Sequence, residues 1–129
     1  MTISLRLGHI EIFVADPILS AVFWRSTLGF RIIDVQSSEF VWIDCGGPEV
    51  LLRAGRPART ATTYQQAAHG LVLYTDDLDA TAARLAAAGV IVEGNDGSDR
   101  CLTFRDPDGN WFQLTQEERV KGERRDNCE

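Results

Sequence analysis

Of the 129 residues only two are histidines, three are cysteines and one is methionine, and several protein classes fall away on those grounds. Cys45, Cys101 and Cys128 are odd in number and far apart. They show neither the paired spacing of a zinc ribbon nor the density of a disulfide framework, so they read as reduced thiols, two in the core and one in the tail. Basic residues are outnumbered, 13 Lys and Arg against 19 Asp and Glu, for a net charge of -6. Such a surface repels phosphate backbones, which argues against a nucleic-acid partner. No apolar run approaches the length that crosses a bilayer, which argues against a membrane partner. The opening MTISLRLGHIEIFVAD alternates like a strand and lacks a basic n-region, so a cytoplasmic location is expected. The length suits one compact domain with a real core.

What is present is a pattern of elements written twice. Alternation gives a strand over about 5 to 14, followed by a helix with Asp16 as N-cap, Pro17 at its first position and Gly29 as its end. Ile18, Leu19, Val22 and Phe23 sit at helical spacing and are expected to form its buried stripe. Strands near 30 to 36, 39 to 45 and 49 to 54 follow, punctuated by SS and GGP. From Gly70 the order recurs: a strand LVLYT, then a helix capped by Asp76 or Asp77. Leu78, Ala82, Leu85 and Ala88 line one side of that helix and Gly89 ends it. Strands near 90 to 94, 100 to 105 and 111 to 116 complete the second copy, the last two joined by the turn DPDGN.

The copies superpose without gaps at their edges. HIEIFVADP lies over GLVLYTDDL, which matches Asp16 with Asp77 and His9 with Gly70. DCGGPEVLL lies over DPDGNWFQL, which matches Asp44 with Asp106, Leu51 with Gln113 and Leu52 with Leu114. His69 is one residue out of register. Half a chain cannot bury both faces of its own sheet, so two βαβββ modules are expected to pack together. The expected plan is a single domain with modules 5-54 and 69-116, a linker 55-68 and a charged tail 117-129, frayed for want of apolar residues.

Three of these stretches, GHIEIFVADPILSAVFWRSTLGF, LVLYTDDLDATAARLAAAGV and DPDGNWFQL, resemble the vicinal oxygen chelate superfamily of glyoxalases, bleomycin-resistance proteins and dioxygenases. The likeness covers about residues 5 to 116. It implies an α+β fold in which two βαβββ modules form a curled mixed sheet around a cleft, and a homodimer. In metal-dependent members the first and last strand of each module each give one ligand, commonly His or Glu, with Gln as a variant. Those positions carry His9, Leu51, Gly70 and Gln113 here. Two of the four can coordinate.

Strand side chains alternate faces, so a slip of one residue sends His69 away from the face of His9 unless a β-bulge at 68 to 70 re-aims it. Glu49 shares the face of Leu51 but sits two residues back, ~6.6 Å along the strand. One imidazole and one amide make a poor divalent site, so no metal and no other cofactor is expected. The alternative is a divalent metal on His9 and Gln113 with Glu49 or His69. The same alternation sends His9, Glu11, Phe13, Leu51, Arg53, Val72, Tyr74, Trp111 and Gln113, with Trp42 beside them, into the cleft. Aromatic and aliphatic walls with a few polar groups suit a small-molecule ligand. Rings can stack on a planar compound, and Arg53 can pair with an acid. The reading of the sequence is a metal-free binding protein that sequesters a small, partly aromatic or acidic compound. Its competitor is a metal-dependent lyase, isomerase, dioxygenase or thiol transferase with an irregular site around His9 and Gln113.

Overall fold

The computed structural model describes residues 3 to 120 and 123 to 125, with side chains through residue 117. The chain divides into two compact units, Met1–Ala58 and Arg59–Glu129. Each holds a small mixed sheet backed by a helix, so the fold is α+β with one βα-initiated module per unit.

In the first unit the order is β1 (Ile10–Val14), α1 (Pro17–Val22), β2 (Arg31–Gln36), β3 (Phe40–Asp44) and β4 (Glu49–Ala54). The sheet order is β1-β4-β3-β2, with β1 parallel to β4 and the rest antiparallel. β1 is shorter than the expected strand. Its pairing starts at Ile10 with Val50. The partner strand itself starts only at Glu49, and before it come Pro48, which has no N–H, and Gly46 and Gly47 at φ 85° and 156°. Residues 3 to 9 are therefore outside the ladder, and Ile3, Leu5 and Leu7 are exposed.

Asp16 caps α1 as expected, its carboxylate accepting from the Leu19 N–H at 3.1 Å, and Pro17 occupies the first turn. The helix then widens into a π-helical turn over Phe23–Thr27 and stops at Gly29, φ 82°. The buried stripe is not the expected one. Pro17, Ser20, Ala21 and Trp24 face the sheet, while Ile18, Leu19 and Val22 are exposed. Both sets have helical spacing, and contact with β3 and β4 selects the smaller side chains plus one tryptophan. Beneath them Ile12, Val14, Val41, Ile43, Val50 and Leu52 form the core face of the sheet.

The second unit runs β5 (Leu71–Thr75), α2 (Leu78–Ala87), β6 (Cys101–Arg105) and β7 (Trp111–Gln116), in sheet order β5-β7-β6. Asp77, not Asp76, caps α2 through the Ala80 N–H at 3.0 Å, and Leu78 and Leu85 are its buried residues. The strand expected near 90 to 94 is absent. Gly94 at its end takes φ 85°, which breaks extension there, and Gly97 follows at φ 96°. What survives is one bridge between Asn95 and Leu102, with Glu93 N–H donating to Thr103 at 2.7 Å. Phe104 and Phe112 stack at 5.2 Å on the core face. The DPDGN turn closes on Asp106, whose carboxylate accepts from the Asp108 and Asn110 N–H groups and from Asn110 Nδ2 at 2.8 to 2.9 Å.

The tail is not wholly irregular: β8 (Glu118–Val120) and β9 (Glu123–Arg125) pair antiparallel. Backbone pairing needs no apolar side chains, which composition alone does not register. Cys45 is a free thiol, whereas Cys101 is disulfide-bonded, so the reading of three reduced thiols fails at Cys101. Spacing along the chain does not report which cysteines approach in space. Cys128 lies outside the described residues.

Candidate functional site

In the first unit, strand alternation separates the core face from a second face carrying His9, Glu11, Phe13, Leu51, Arg53 and Trp42. Register makes it compact, because Glu11 opposes Leu51, Phe13 and Phe40 both oppose Arg53, and Trp42 opposes Leu51. Leu51 is buried and floors the patch. Glu11 accepts from Arg53 Nη1 at 2.7 Å and lies 2.9 Å from His9 Nε2. The Arg53 hydrogen bond first, and the His9 bond second, hold the Glu11 carboxyl below its usual range. An ionised carboxylate only accepts, so His9 Nε2 donates to Glu11 and Nδ1 is the ring nitrogen left outside this bond.

The Arg53 guanidinium lies between two rings, 5.4 Å from the Phe13 centroid and 5.3 Å from that of Phe40. Both distances are within cation–π range. His9 meets Trp42 edge-on at 4.8 Å, and Trp42 Nε1 donates to Gln36 at 3.3 Å. The patch is thus aromatic with an internally neutralised charge pair, and His9, Glu11 and Arg53 are each only about two-thirds covered. Phe40 and Gln36 escaped the sequence reading. The three-residue connection of Ser37, Ser38 and Glu39, with both serines at positive φ, brings Phe40 opposite Gln36, and Phe40 in turn opposes Arg53 in this patch.

In the second unit Val72 opposes Gln113, and Val72 and Tyr74 are part-exposed. Trp111 and Gln113 are buried. Trp111 donates from Nε1 to the Ala61 carbonyl at 2.9 Å, meets Tyr64 edge-on at 6.3 Å and carries the Arg105 guanidinium at 5.1 Å. Gln113 Nε2 donates to the Tyr64 hydroxyl and to Asp96 Oδ2, both at 3.1 Å. Tyr64 and Asp96 were missed. Tyr64 is the sole aromatic of the linker, which is the signal that could have found it. His69 is exposed, and the pairing of β5 with β7 runs without a shift from Leu71 to Thr75. Glu49 is exposed at the start of β4.

The sequence matches the family model described as Glyoxalase/Bleomycin resistance protein/Dioxygenase superfamily over residues 6–114, and the chain belongs to that superfamily. No curated protein sequence matches it. Among solved structures it is similar to TnmS3, an antibiotic binding protein from Streptomyces sp. CB03234, with 28% identity and TM-score 0.67 over 90% of this chain and 98% of that one. A lactoylglutathione lyase from Agrobacterium tumefaciens shares the fold at 19% identity and TM-score 0.65, covering 86% of this chain and 92% of its own. So does the fosfomycin resistance protein FosX from Listeria monocytogenes, complexed with Mn(II) and a dihydroxypropylphosphonic acid. There the identity is 19% and the TM-score 0.68, over 88% and 90% of the two chains. Among the described residues, no helix is long and apolar enough to cross a membrane.

The residues at the superfamily's ligand positions do not fit a chelated divalent ion. His9 Nε2 is engaged by Glu11, Leu51 has no donor atom and Gly70 has no side chain, which leaves the amide oxygen of Gln113 as one ready donor among the four positions. Among the described residues, no three His, Cys, Asp or Glu side chains group to hold a metal. Three or four donors, often with a carboxylate among them, are what such an ion takes.

Proposed function

We propose that this protein binds and sequesters a small molecule with a planar aromatic part, without a metal and without chemical turnover. The observation that carries this reading is the patch of Trp42, His9, Phe13, Phe40 and Arg53, part-open on a sheet face with its charges already paired. Because Glu11 neutralises Arg53, a neutral ring system gains stacking without having to offset a bare cation. An acidic group on the ligand would compete with Glu11 for Arg53, while the Nδ1 atom of His9 offers a further polar contact beside the rings. The likeness to an antibiotic binding protein at 28% identity supports a ligand of that class.

The test is calorimetry and tryptophan fluorescence against aromatic antibiotics, bleomycin among them, and simple aromatic acids. Saturable binding unchanged by EDTA, weakened about tenfold or more by Trp42→Ala, and recovery of the ligand intact are expected. Conversion of the compound that stops with EDTA would replace this reading with the metal-dependent enzyme.

The working form proposed is a homodimer. Ile18, Leu19 and Val22 on α1 and Ile3, Leu5 and Leu7 ahead of the edge strand β1 leave six large apolar side chains exposed in the first unit. Apolar surface of this kind marks interaction sites. Light scattering at micromolar concentration is expected to give twice the chain mass, and a monomer there refutes it.

A further inference from the structure

Gly70 is not a glycine for the sake of the backbone, because its φ lies outside the left-handed region that the chain's turn glycines occupy. It is a glycine for want of room. A Cβ built at that position would fall on the Tyr64 hydroxyl and lie 2.5 Å from Cζ and 2.8 Å from Cε1 of the same ring. That hydroxyl in turn accepts from Gln113. Tyr64 is held there independently. It opens a short 3-10 turn, Tyr64–Gln66, whose Gln65 donates to the Asn95 carbonyl and to Asp96 Oδ1 at 3.1 Å, and its ring packs edge-on against Trp111.

We propose that Tyr64 is a built-in block of the second unit. Its phenol takes the space that a side chain at position 70 would need and accepts an N–H of Gln113, so the ring closes position 70 against a ligating side chain and fixes the amide at position 113. The proposal rests on the metal-free reading above, and it gives that reading a residue-level cause inside one unit. Tyr64 rather than the missing histidine alone is then the determinant. With the ring in place, the Cβ of a histidine introduced at position 70 already collides with it. With the ring gone, the imidazole, the Gln113 amide oxygen after rotation of the amide and the Asp96 carboxylate offer three donors of mixed type, a set that suits nickel or zinc.

Two linked experiments on the full chain test it. In urea unfolding, Gly70→Ala is expected to lower the midpoint in the wild-type background and to leave it unchanged in a Tyr64→Ala background, since the atom it collides with has been removed. Equal effects in both backgrounds overturn the steric claim. Nickel calorimetry then compares the wild type, Gly70→His, Tyr64→Ala and the double variant Tyr64→Ala with Gly70→His. Affinity at least tenfold above each single variant is expected in the double variant alone. Gly70→His binding as tightly as the double variant, or the two binding equally weakly, overturns the block. Should the histidine variants not fold, the alanine pair decides the proposal. Failure of the block with a nickel-free wild type leaves the binding reading intact. Tight nickel binding by the wild type that Gln113→Ala abolishes sinks both.

Discussion

Replacement of Trp111 by alanine separates a ring that holds the fold from rings available to a ligand. Sequence alternation sends Trp111 to the same face as Tyr74 and Trp42, yet it is 3% exposed, bonded to the Ala61 carbonyl and packed against Tyr64 and Arg105. Deleting a buried Trp side chain costs ~3 to 5 kcal/mol, and leaving the Ala61 carbonyl without its donor adds about 1 kcal/mol. The sum, about 4 to 6 kcal/mol, is a large part of the stability of an ordinary domain. For a chain of this length it lowers Tm by roughly 15 to 20 °C. Trp42→Ala, at a half-buried position, loses mainly its edge contact with His9 and some covered area, about 1 to 2 kcal/mol. Urea unfolding followed by far-UV circular dichroism, which does not depend on the deleted fluorophore, measures both. A loss below about 1 kcal/mol for Trp111→Ala, or a larger loss for Trp42→Ala, refutes the division of the rings into core and patch.

Further outcomes follow from the charged and polar groups. Glu11 has a carboxyl held below its usual value by Arg53 and then His9, so its ionised form favours the folded state. That contribution is complete above the unfolded value of 4.5 and is lost as pH falls through the lower folded value, so the stability gap between wild type and Glu11→Gln should close in acid. A gap unchanged at about pH 2 refutes the ion-pair account. Asp106→Ala removes the acceptor of three hydrogen bonds but also relieves a carboxyl whose pKa burial pushes up, for a net loss of about 1 to 3 kcal/mol in urea unfolding. No loss would mean that the turn closes without it. The Cys45 thiol is pushed up to about 11 by burial and by the neighbouring Asp44 charge. Its alkylation by iodoacetamide at about pH 8 should therefore run roughly 100-fold slower than that of free cysteine, and a rate equal to free cysteine refutes the assignment.

The sequence by itself determined the elements whose signals are local. Asp16 before Pro17 starts a helix and Gly29 ends it, because capping and positive φ are properties of a few consecutive residues. DPDGN closes a hairpin for the same reason, and the period-2 patterns of β3 and β5 reappear as alternating burial along those strands. The likeness of the two halves, and with it the superfamily, is also written there, since it depends only on order and spacing.

Tertiary structure decided what depends on a neighbour distant in the chain. β1 begins at Ile10, not residue 5, because its partner β4 starts only at Glu49, after Pro48, and the segment near 90 to 94 is no strand because Gly94 bends its end. Which stripe of α1 is buried was settled by the distance to β3 and β4, a packing constraint to which hydrophobicity alone is blind. The closing of Glu11 between His9 and Arg53 joins residues 42 positions apart, and that of Gln113 on Tyr64 spans 49. Alternation can state that such side chains share a face. Only the packed chain fixes which of their polar atoms are already spent on one another, because a hydrogen bond demands about 3 Å and correct direction, and neither is encoded in spacing.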